Sequence, residues 1–299
     1  MPPFANRMTH IIYSGIKMKT LYVGTIAATA LFMTGCVGSG HQMPKVNQAH
    51  LSSVKYEIRN NQSPEKRYIS NAEGERKVKE IYSKLRPTAR AICQSGGMKK
   101  CYWNVKYSDN QEINAYAHGN NNVVIQKGIL EYAKNDDEIA LVIAHELSHH
   151  MANHINEKKQ NAVVGALVMG AIGAYAAQGY YNPYSYGYNP SAGNELINTS
   201  VQLGATVGQL TFSKTQEKEA DYLAAYIVKQ SGYSLDNARG MLMTLAVKSG
   251  RTKSGLFSTH PAGPERLSAW DATAREISTN STNKPIIKKY DDVLEDDGF

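Results

Sequence analysis

The spacing of apolar positions changes several times along the chain, and each change marks an element. Val78, Ile81, Tyr82 and Leu85 fall at i, i+3, i+4 and i+7. That is the stripe of a helical region opening after Ser63, which Pro87 is expected to end or kink. Two short β-like runs follow, 102–107 and 114–118, then a GNNN turn and a third run, Val123–Gln126. Asp136, Asp137 and Glu138 suit the first turn of a helix. The stretch behind them, VIAHELSHHMANH (142–154), is otherwise fit for a buried helix. Next, AVVGALVMGAIGAYAA (162–177) is apolar and glycine-interrupted, short for a membrane span and rich in small-residue spacings. It reads as a helix packed on the protein or dipping into a bilayer surface. A Tyr-, Asn-, Gly- and Pro-rich loop (179–193) follows, and further helices are expected over about Thr215–Gln230 and Ser234–Ser249.

The ends of the chain look different. From Met18, MKTLYVGTIAATALFMTGC has a basic start, an apolar stretch and small residues before Cys36. Residues 1–17 take no part in this pattern, which points to Met18 as a true start. Met33-Thr34-Gly35-Cys36 resembles a bacterial lipoprotein signal, in which the cysteine becomes the lipidated first residue; the alternative is a plain signal peptide. Val37 in place of an aspartate favours, by resemblance to sorted lipoproteins, the outer membrane over the inner. The expected organisation is a signal region (1–35), a lipidated cysteine and polar tether (36–62), a domain over 63–279 with an insertion at 162–194, and a polar acidic tail (280–299).

Composition narrows the partners. The formal charge is +7, but residues 1–35 hold Arg7, Lys17 and Lys19 and no acid, leaving 30 basic against 26 acidic residues. Such a mildly basic surface, without basic–aromatic interleaving, excludes nucleic acid as the expected partner. With Cys36 assigned to lipid, Cys93 and Cys101 remain as an even pair in an oxidising compartment. They form either a bridge contributing roughly 2–3 kcal/mol or two free buried thiols.

The candidate chemistry lies in the histidines. At 100° per residue, His145 and His149 come within roughly 40° of each other, whereas His150 and His154 point to other faces. One ion can be gripped by His145 and His149, and His150 and His154 are assigned ordinary polar contacts. Glu146 sits one step round from His145, the HExxH arrangement of zinc peptidases. Catalytic zinc needs a third protein ligand and one open position. SKTQEKEAD (213–221) offers Glu217 as ligand and Asp221, four residues on, as acceptor for a ligating imidazole N–H. Glu219 is expected to point elsewhere. Two acids on a helix are ordinarily a solvated face; the neighbouring motif changes that reading.

HELSH, with NAYAHGNNNVVIQKGIL upstream and EKEAD downstream, resembles the HtpX-like zinc metallopeptidases, metallopeptidase family forty-eight. These gluzincins include the CAAX-prenyl endopeptidases and several periplasmic members. The likeness runs over about 67–270. It implies a zincin-like α+β domain, mainly helical, with two zinc-bearing helices and a small sheet whose edge lines the cleft. One zinc ion would rest on His145, His149 and Glu217, with Glu146 as acid/base and Asp221 orienting a ligand. The family's late His-Pro and Arg are matched by His260-Pro261 and Arg266. The histidine can approach the metal, to assist or to inhibit, and either residue can stabilise an oxyanion. Asn114-Ala115 matches the edge strand that pairs with substrate backbone.

The integral-membrane relatives have several long apolar spans that this chain lacks, so periplasmic proteins fit better than prenylated peptides as substrates. The expected protein is a lipid-anchored zinc endopeptidase facing the periplasm, acting on envelope proteins in quality control, with envelope assembly partners. One rival is a lipid-anchored chaperone or outer-membrane assembly factor with little proteolysis; another is a transmembrane receptor using 162–177.

Overall fold

The computed structural model describes residues 40–62, 64–98, 100–184, 186–209, 212–250, 260, 262–279 and 284–286. The signal region, Cys36, Pro261 and nearly all of the acidic tail lie outside these residues. The chain divides into two compact units, a larger one spanning 38–159 and 209–299 and a smaller one containing 160–208.

Helix α1 (Gln48–Asn60) opens the larger unit, capped by the Asn47 side chain. The segment read as a tether therefore contains a packed helix. Val54 is buried, Arg239 grips the Glu57 carboxylate with two nitrogens, and His50 pairs with Asp271. Helix α2 (Asn71–Ser95) starts at the Ser70 cap and runs through Pro87 instead of ending there. Its stripe continues beyond the proline as Ala89 and Ile92, both buried, and this burial offsets the one backbone bond that proline removes. Cys93, near its end, forms a disulfide with Cys101.

Three strands follow: β1 (Asn104–Ser108), β2 (Ala115–His118) and β3 (Asn122–Gln126), in the order β1-β3-β2. β3 lies between a parallel partner and an antiparallel one, which leaves β2 as an edge. The turn between β2 and β3 holds Asn120 and Asn121 at positive φ, a conformation asparagine tolerates. After the single turn α3 (Lys127–Leu130) comes α4 (Asp136–Met151), capped by Asn135 and buried along nearly its whole length. It packs against α2, the sheet, α7 (Lys214–Gln230) and α8 (Leu235–Ser249). A reciprocal box of Ser213 and Gln216 starts α7. The last helix, α9 (Pro264–Thr279), which sequence periodicity did not reveal, brings Trp270 into the core. The larger unit is thus mainly helical with a small sheet, as expected.

Helix α5 (His154–Ala176) begins in the larger unit and continues through the smaller one, followed by a short 3-10 turn (Ala177–Tyr181) and α6 (Pro190–Gln209). The smaller unit is a helical hairpin, longer than the expected insertion at 162–194. Gly165 meets Gly204 backbone to backbone, and Gly173 lies against Ser200 and Ile197.

Candidate metal centre and active site

One face of α4 carries His145 and His149, and one face of α7 carries Glu217 and Asp221; all four are buried. The two Nε2 atoms are 3.1 Å apart. His145 Nε2 lies 3.5 Å from Glu217 Oε2, and His149 Nε2 lies 3.4 Å from Glu217 Oε1. His260 adds a fourth nitrogen, its Nδ1 2.9 Å from Glu217 Oε1 and 3.4 Å from His145 Nε2. A tetrahedral ion with bonds of about 2.0–2.1 Å sets its donors about 3.3 Å apart. The separations above bracket that figure, so these four residues form a buried set able to hold a metal ion.

Electrostatics suit the same purpose. Burial, the largest single influence, opposes charge on Glu217 and Asp221, yet Arg266 together with the neighbouring histidines outweighs it and holds both carboxyls below their usual range, Glu217 far below. The Arg266 guanidinium bonds both Asp221 oxygens at 2.7 Å and reaches Glu217 Oε2 at 2.6 Å. Asp221 Oδ1 in turn accepts from His145 Nδ1 at 2.9 Å. Burial and Arg266 work against a proton on His145, but Asp221 and Glu217 prevail and raise it to about 9. Burial keeps His149 neutral, with its pKa well below the ordinary value. Glu146 is buried beside the cluster, and its Oε2 has no hydrogen-bond partner among the described residues. A buried carboxylate oxygen without a partner is costly, and Glu146 lines the same cleft as His145 and His260.

A family model described as peptidase family M48 matches residues 76–274. The chain belongs to peptidase family M48. Members of this metallopeptidase family are metal-dependent. The chain is 31% identical over 169 residues to a beta-barrel assembly-enhancing protease of Escherichia coli O157:H7, covering 53% of this chain and 32% of that protein. It is 27% identical over 156 residues to the metalloprotease LoiP of Escherichia coli (strain K12), covering 52% and 56%. It is also 24% identical over 186 residues to the mitochondrial metalloendopeptidase OMA1 of Arabidopsis thaliana, covering 62% and 34%. The chain thus spans about a third of the length of the beta-barrel assembly-enhancing proteases it matches.

Several residues of this M48 site differ from their sequence reading. His154, assigned an ordinary contact on the far face, lies behind His149, with the two Nδ1 atoms 3.0 Å apart. The helical count failed because α4 ends at Met151 and Asn153 breaks the chain direction with a φ of 64°. Glu219 does not point away: it is buried and accepts from His154 at 3.3 Å and from His41 at 2.6 Å. Phe212, unnoticed in the sequence, stacks on His149 with ring centroids 3.7 Å apart. His150 does make a plain polar contact, to the Asn122 carbonyl.

The edge also shifts by one residue. Asn114 donates its N–H to Glu112 O and accepts from Gln126 N. By the alternation of antiparallel pairs, Ala115 and Ala117 turn their backbone groups to the open side. Ala115 lines a cleft with His145 and Glu146, walled by apolar residues including Leu141, Met241 and Leu245.

Proposed function

We propose that this chain is a lipid-anchored zinc endopeptidase of the cell envelope, facing the periplasm from the outer membrane and hydrolysing peptide bonds of envelope proteins. The observation that carries the reading is the convergence of His145, His149 and Glu217 beside the unpartnered Glu146 Oε2. Two neutral-capable imidazoles and a carboxylate are a zinc donor set. An ion held by His145, His149 and Glu217 would supply Lewis-acid polarisation of a carbonyl and acidification of water.

The chain's own groups do the rest. Glu146 Oε2 takes a proton from the attacking water and delivers it to the leaving nitrogen. Ala115 and Ala117 pair with the extended substrate backbone, while the apolar cleft receives a neighbouring apolar side chain. Asp221, held by Arg266, fixes the orientation of His145, and His154 does the same for His149. Arg266 spends its guanidinium on the two carboxylates and is a positioning residue, with no part in holding an oxyanion. In the form described, His260 fills the fourth donor place, so it restrains cleavage until it withdraws. The envelope location draws support from the lipoprotein-like leader at Cys36 and from the relatives' names.

The test is cleavage of an unfolded protein such as casein by purified chain. Wild type should cleave in a chelator-sensitive way. Glu146→Gln should bind zinc with unchanged stoichiometry and lose activity by at least about 100-fold, and His260→Ala should cleave faster than wild type. Undiminished cleavage by Glu146→Gln overturns the mechanism.

A further inference from the structure

The smaller unit is ordered opposite to a water-soluble hairpin. In water, large apolar side chains fill the contact between helices and small or polar ones face out. Here the contact is made by Gly165, Gly170 and Gly173 against Gly204, Val201 and Ser200. Of the large residues of α5, Met169 lies against Gly204, whereas three others point outward: Leu167 is 69% exposed, Val163 59% and Ile172 42%. Close glycine contact with big apolar residues outside is how helices pack in lipid, where exposed hydrocarbon costs nothing.

Three further observations select lipid as what covers this face. No Asp, Glu, Lys or Arg occurs between Lys159 and Glu195, or between Glu195 and Lys214. The turn joining the helices exposes Tyr180, Tyr181, Tyr184, Tyr186 and Tyr188, the residue type that settles at headgroup depth. Finally, α6 carries a polar stripe, with Glu195, Asn198 and Gln202 exposed at i, i+3 and i+7, while Val201 and Leu203 are exposed on either side of it. That stripe opposes a full crossing and suits a hairpin lying flat.

We propose that residues 160–208 form a membrane-docking hairpin. It beds the outward face of α5 in the acyl region of a bilayer surface and keeps the Glu195–Asn198–Gln202 stripe in water. The contact is separate from any lipid on Cys36 and does not depend on zinc chemistry.

The experiment uses residues 37–299, which lack the acylation site, and vesicles of phosphatidylethanolamine and phosphatidylglycerol. An environment-sensitive dye is placed on Leu167→Cys or on Asn198→Cys. With vesicles, emission at 167 should rise several-fold, shift to the blue and be quenched by nitroxide on the acyl chains, while emission at 198 stays as in buffer. In the unlabelled chain, Leu167→Glu with Ile172→Glu should lower vesicle partitioning at least tenfold without changing zinc content. An unchanged signal at 167 would overturn the proposal, as would equal responses at the two sites. A blue-shifted signal at 167 before vesicles are added would mean that protein, such as a second copy of this chain, covers the face.

Discussion

Glu219 shows what single residues contribute around the metal centre. Burial pushes its carboxyl up, but bonds from His154 and His41 outweigh burial and bring it down to about 2. A carboxyl depressed in the folded state stabilises that state above its unfolded value of about 4.3 and loses the contribution as pH falls through its folded value. The stabilisation should be on the order of 3 kcal/mol at pH 6, with less than half left at pH 3. Denaturant midpoints of wild type and Glu219→Gln measured from pH 6 to 3 should therefore converge toward acid; a constant gap would mean that the ion pairs do not form. Legibility at this scale follows backbone regularity. His145, Glu146 and His149 are readable from spacing because α4 is an unbroken helix across them. His154 and Glu219 are not, since one lies past the break at Asn153 and the other matters only through a histidine contributed by another segment.

Among the elements, the edge strand depends on a close approach beneath it. A Cβ on Gly128 in α3 would collide with the backbone carbonyl oxygens of Gln111 and Glu112, which lead into β2. Backbone cannot rotate away as a side chain can, so Gly128→Ala should cost about 1–3 kcal/mol. The displaced 111–114 segment should also raise KM for a peptide substrate more than it lowers kcat, because in the proposed mechanism the edge pairs with substrate and does no chemistry. Equal loss in both constants, or no loss of stability, would contradict this role. The sheet and the two helices that carry the metal-ligand candidates were legible from alternation and period. Helix α1 also carried a signal, Leu51, Val54 and Ile58 at i, i+3 and i+7, but polar composition masked it. Pro87 misled because a propensity rule was applied without the burial on both sides of it.

At the scale of the whole molecule, the metal centre joins segments that are remote in sequence: α4, α7, the residue-260 segment and α9. Spacing alone placed partners within α4 and within α7; that the two helices meet rested on the third ligand a catalytic ion requires and on resemblance, because no local pattern encodes a contact between them. The convergence makes ion binding a folding event, since the unfolded chain holds no such donor set. Zinc at a hundredfold excess over its dissociation constant should stabilise the fold by about 2.7 kcal/mol. At roughly 2–4 °C per kcal/mol for a domain of this size, that raises the melting midpoint by about 5–10 °C. Glu146→Gln, which removes the proposed proton carrier and no donor, should retain the rise, whereas Glu217→Gln should lose most of it. Melting of the three proteins with chelator and with added zinc separates holding the ion from using it, and a midpoint indifferent to both additions would remove the metal from the folded state altogether.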